Sequence, residues 1–163
     1  MGEIRWVTSG AGAVALDDRY YPVVLATWEG PASATTLGAF FDWNDDVLRR
    51  VIAERRHFSL ITDAARAARP DAAARAIIAE RTQRMQRERG AADPYRIVGP
   101  VVLEDPLVRG ALTAVGWIMG TSLETEYAAS CEEAIALVRS RFAAKGAAWP
   151  TSLDPARYVP ARR

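Results

Sequence analysis

One cysteine, one histidine and one lysine are the whole of this 163-residue chain's supply of three chemically versatile side chains. A lone thiol, Cys131, excludes an intramolecular disulfide and gives no sign of an oxidising compartment. The lone imidazole, His57, cannot hold a metal unaided, and no spacing groups it with Cys131 or with carboxylates. It follows Arg55-Arg56 at an expected helix end and reads as structural, while Cys131 reads as packing near a helix start. Long apolar runs are also missing. The longest candidate, Gly110–Gly120, is broken by glycines and falls short of the ~20 residues a membrane-spanning helix needs. The opening MGEIRWVTSGAGAVALDD has no cationic start followed by an apolar core, so a cytoplasmic protein without integral membrane segments is expected. Charge of one sign is lacking too. With 21 basic and 20 acidic residues the net charge is +1, which gives no global field to recruit nucleic acid. Ser9-Gly10-Ala11-Gly12 lacks the G-x-G-x-x-G spacing of a phosphate loop and precedes no helix, so it reads as a hairpin turn. No nucleophile with its base is apparent. No catalytic residue, metal or cofactor is therefore assigned.

What is present is ordinary globular material, half apolar and one quarter charged. Short apolar stretches at Ile4–Thr8, Ala13–Asp17 and Val23–Trp28 predict a small antiparallel unit. Ser33 or Thr35 can cap a helix to about Arg55, whose stripe is Leu37, Phe40, Phe41, Leu48, Val51 and Ile52. Phe58–Thr62 predicts a buried central strand, and Pro70-Asp71 opens a helix that runs to Gly90. Ile97–Glu104 reads as a strand with a bulge or edge at Gly99-Pro100. A helix from Asp105-Pro106, an edge strand over Leu123–Tyr127 and a last helix capped by Ser130 with Glu133 in a capping box complete the order. Residues 1–145 then form one domain. The proline-rich tail 146–163 is either disordered or draped over the surface through Trp149 and Tyr158. Alternating elements with short links predict an α/β fold with a mixed sheet of four to six strands against about four helices.

The pieces TWEG, LITDA, VVLEDPLVRGALTAVGWI and CEEAIALVRSRF, in that order over Tyr21–Phe142, resemble the STAS domain superfamily, most closely its SpoIIAA-like (STAS/SEC14-like) branch. The resemblance implies a sheet backed by helices on one side, used for protein contact and sometimes for lipid or nucleotide. In the anti-sigma-factor antagonists of that superfamily an Asp ends the central strand and an Asp-Ser pair opens the next helix, the Ser being the phosphorylated switch. Asp63 and Asp71 match the two acids. Ala72 stands where the serine would be and has no hydroxyl to modify.

The binding expectation follows from both readings. A loop Asp63–Pro70 and the basic helix after it would dock an acidic protein partner through Asp63, Arg66, Arg69, Asp71, Ala72 and Arg75, or pair with a second copy as a homodimer. The alternative is a carrier of a small hydrophobic ligand or lipid, its apolar pocket lined by Phe40, Trp117 and Met119 with Arg109 near. A third reading, an unrecognised enzyme, would gather Asp63, Glu104 and Arg109.

Overall fold

The computed structural model describes residues 2–104 and 126–162. Its centre is a six-stranded mixed sheet in the order β1 to β6: β1 Ile4–Ser9, β2 Gly12–Asp17, β3 Val23–Gly30, β4 Ser59–Ala67, β5 Val101–Val102 and β6 Tyr127–Ala128. The first two pairings are antiparallel and the last three parallel. A two-residue turn at Gly10-Ala11 joins β1 to β2, with Gly10 in the left-handed region at φ 58° where a side chain would strain the backbone. Three α-helices are described: α1 Ala34–Glu54, α2 Ala72–Glu88 and α3 Cys131–Ala144. The helix expected from Asp105-Pro106 lies outside the described residues, as do positions 123–125 of the expected Leu123–Tyr127 strand.

Side-chain alternation on the inner strands divides the core in two. Val24, Ala26 and Trp28 of β3, with Phe58 and Leu60, face α1 and α2. Val23 and Leu25, with Ile61, face α3 and the C-terminal segment. Both faces of the sheet are therefore covered. This corrects the one-sided backing that the resemblance implied, and α3 is the element that makes the difference.

Helix ends follow local chemistry. Ser33 caps α1: its Oγ accepts from the Thr36 N–H at 3.2 Å, while Thr36 Oγ1 accepts from the Ser33 N–H at 2.9 Å. Arg55 closes α1 in the left-handed region at φ 50°. In the expected stripe Leu37, Phe41 and Val51 are buried, but Ile52 is exposed; Trp43 and Val47 fill the face instead. At α3, Ser130 Oγ accepts from the Glu133 N–H at 3.1 Å, but the Glu133 carboxylate reaches past the cap residue to the Ala129 N–H at 2.7 Å. The reciprocal arm of the expected box is thus displaced by one residue.

Two strands depart from expectation. The central strand is longer: β4 continues to Ala67 and takes in the first five residues of the predicted Asp63–Pro70 loop. Its ladder with β3 runs from Val23 opposite Ser59 to Gly30 opposite Ala67, with a register irregularity between Thr27 and Glu29. The strand predicted over Ile97–Glu104 shrinks to β5. A Cβ on Gly99 would sit 1.8 Å from the Leu60 carbonyl oxygen, and the Pro100 carbonyl accepts from the Thr62 N–H at 3.2 Å. The chain presses against β4 here before regular pairing begins, and only a residue without a side chain permits the approach.

The segment after Gly146 is draped, the second of the two alternatives for the tail. Leu153 is buried in the α3-side core, the Trp149 ring packs edge-on against Phe142 at 5.5 Å, and Trp149 Nε1 donates to the Leu153 carbonyl at 3.0 Å.

Candidate functional site

Alternation along β4 decides where each expected site residue goes. Odd-numbered Ser59, Ile61 and Asp63 are buried. Asp63 is 1% exposed, so it is no part of a surface loop; this corrects its assignment as a direct contact residue. Its Oδ2 accepts from Arg162 Nη2 at 2.9 Å and lies 3.5 Å from Cys131 Sγ, while Oδ1 accepts from the Ala65 N–H at 3.1 Å. The draped segment thus fastens a buried carboxylate at the middle of the sheet. Tyr158 packs edge-on against Tyr20 at 5.9 Å. Its Oη, like Arg162 Nη1, is buried without a hydrogen-bond partner among the described residues.

Burial first, then the Asp63 carboxylate, pushes the Cys131 thiol up to about 12. Burial likewise raises the Tyr158 hydroxyl, with the Asp17 carboxylate adding to it. Both groups keep their protons in the folded chain where the unfolded chain loses them. Stability accordingly falls as pH rises from about 9 toward 12. At pH 8 the native thiol should alkylate with iodoacetamide roughly a thousandfold more slowly than the same thiol in urea. Equal rates would mean that Cys131 is open to solvent.

The remaining docking candidates cluster at the end of β4 and the start of α2. Arg66 and Arg69 are exposed, and neither forms an ion pair among the described residues. Asp71 serves as the cap of α2, its Oδ1 accepting from the Ala74 N–H at 2.7 Å. Ala72 is the first residue of that helix and is exposed. Arg75 is exposed and donates from Nη1 to the Pro70 carbonyl at 2.7 Å. Arg66, Arg69 and Arg75 therefore set three guanidinium groups on one short connection against the single carboxylate of Asp71, a net positive edge.

Even-numbered Phe58, Leu60, Thr62 and Ala64 look the other way, into a cavity of about 450 Å³. It exists because α2 leans on α1 and stands off the sheet: Arg81 pairs with Asp42, and its guanidinium lies 5.6 Å over the Phe41 ring. Buried Asn44 donates to Met85 Sδ at 3.2 Å across the same helix pair. Phe40, expected to line a pocket between the first and third predicted helices and the sheet, lines this cavity beside α2, edge-on to Trp28 at 5.4 Å. Trp117, Met119 and Arg109 lie outside the described residues. Sequence reasoning missed Leu60, Thr62, Ala64 and Arg96 as lining. The period-two pattern from Phe58 onward was the available signal, hidden because Phe58–Thr62 read as apolar on both faces.

Glu104 is exposed and Asp63 is buried on the opposite side of the sheet from the cavity, so the grouping of Asp63, Glu104 and Arg109 is not assembled among the described residues. No group of three or more His, Cys, Asp or Glu could hold a metal there, and no described helix is long and apolar enough to cross a membrane. His57 meets the Tyr95 ring edge-on at 6.3 Å.

A protein of uncharacterised function with a SpoIIAA-like fold from Shewanella loihica matches 81% of this chain and 98% of its own, with a TM-score of 0.50 at 12% identity. The fold is SpoIIAA-like. An anti-sigma factor antagonist from Mycobacterium paratuberculosis matches 82% of this chain and 99% of its own, with a TM-score of 0.47 at 16% identity. No family model and no curated protein matches the chain. In this SpoIIAA-like domain both the positive edge and the cavity belong to the connection that leaves the central strand. That connection is where an open α/β sheet presents its strand ends to ligands.

Proposed function

We propose that this chain is a non-enzymatic, STAS-like regulatory module that docks an acidic protein partner at the end of its central strand. The observation that carries the reading is the exposed guanidinium cluster Arg66, Arg69 and Arg75 around the capped start of α2. Guanidinium recognises carboxylates in bidentate fashion, and three such groups in a segment whose one carboxylate, Asp71, already caps the helix favour a partner that supplies more. Ala72 at the head of the helix removes the hydroxyl that a phosphorylation switch would use, so docking here depends on charge and shape alone.

Reversal of Arg66, Arg69 and Arg75 to Glu should abolish recovery of the partner in a pull-down from native lysate, and the partner should elute from the unaltered chain as salt is raised. Unchanged recovery by the triple variant would overturn the reading.

A second reading is supported by the cavity. Its volume falls within the roughly 300–1,000 Å³ of ordinary ligand sites, and its walls are largely apolar. A small hydrophobic ligand bound there would sit beside the same connection and could tune the docking edge.

A further inference from the structure

We propose that the cavity between α1, α2 and the sheet takes an anionic amphiphile, a long-chain carboxylate, with its head group on Arg96 and its chain along the even-numbered face of β4. The proposal rests on the ligand-binding reading of the cavity and adds the chemical class of the occupant.

Among the described residues lining the cavity, Arg96 is the single charged one. It is half-buried, and its guanidinium has no hydrogen bond or ion pair among the described residues. Its backbone is fixed from both sides: the N–H donates to the Asp93 carbonyl at 3.2 Å, and the residue bridges Phe58 in parallel register. A partly desolvated cation held beside an apolar wall is costly until an anion meets it.

The wall itself is elongated. From Phe58 to Ala64 the lining side chains follow one face of one strand, a run of about 20 Å at ~3.3 Å per residue. Ile78 and Met85 of α2 close over it from above. A neutral hydrocarbon would leave Arg96 unpaired, and a compact polar anion would leave the strand face unmatched. A fatty carboxylate satisfies both ends. The exposed Arg66 and Arg69 lie at the opposite end of β4, so the charge that serves the ligand and the charge that serves the docked partner are on different residues.

The test is equilibrium dialysis of the full chain against palmitate below its micellar concentration, with hexadecanol as the uncharged comparator and phosphatidylglycerol vesicles as the membrane comparator. Palmitate should bind at one per chain. Arg96→Gln should weaken palmitate at least tenfold and leave hexadecanol unchanged, and Arg96→Lys should restore part of the loss. Ala64→Leu, with an unaltered circular-dichroism spectrum, should reduce both ligands by narrowing the trough. Binding of neither ligand would remove the cavity reading and this inference together. Palmitate binding that is indifferent to Arg96→Gln would overturn the head-group assignment while sparing the cavity. Binding to vesicles alone would overturn a free carboxylate as the ligand. The Arg66, Arg69 and Arg75 reversal should leave palmitate binding intact, so that failure of the docking reading is scored separately.

Discussion

Phe142→Ala is expected to lower unfolding stability by about 4 kcal/mol, the upper range for removing a large side chain from a closed core. Phe142 is 0% exposed and belongs to the cluster that joins α3 to Val23, Leu25 and Ile61. It is also the ring against which Trp149 packs edge-on, so its loss undermines the draped segment as well as the helix. Urea denaturation followed by circular dichroism measures the loss. A change under 1 kcal/mol would mean that α3 and the tail contribute little to the folded state. A Phe142→Leu variant, which keeps most of the volume, should recover more than half of it.

Arg162→Ala comes next, at about 3 kcal/mol, because removing one partner of a buried pair leaves the other charge desolvated and unpaired. The Asp63 side chain is 2% exposed while that of Arg162 is 26% exposed, so water can reach only the arginine side of the pair. Without Arg162 the carboxylate keeps the Ala65 N–H and the Cys131 thiol. Asp63→Asn with Arg162→Gln should be markedly less destabilised than the sum of the two single changes, since neither then buries a charge. Strict additivity in that cycle would show that the two residues are not coupled. Iodoacetamide labelling of Cys131 gives an independent reading. Release of the segment that carries Arg162 should speed modification.

The element order was readable wherever one periodicity dominated. Leu37 to Val51 marked α1, Ala134 to Phe142 marked α3, and Ser33 and Ser130 marked their starts with capping chemistry that is local in sequence. The SpoIIAA-like fold was legible through that order. The length of β4 was not. Asp63, Ala65 and Arg66 carry no strand preference, and the strand persists there because Thr27, Glu29 and Gly30 of β3 supply the ladder. The fate of Asp63 was hidden for a related reason: its partner is Arg162, 99 residues away, and only the folded chain brings them together. Arg66, Arg69 and Arg75 needed no tertiary information, since exposure of charged residues beside a helix start is the default. The cavity needed all of it, because it depends on how far α2 stands from the sheet.

The strict division of β4 into two faces limits how its gene can change length. An odd-numbered insertion or deletion ahead of Leu60 would carry the Asp63 carboxylate into the oily trough and turn Leu60 and Thr62 toward the arginine of the tail. Changes of two residues keep every side chain on its own side. Between Phe58 and Ala64, parity of length is therefore constrained more tightly than the identity of most single residues.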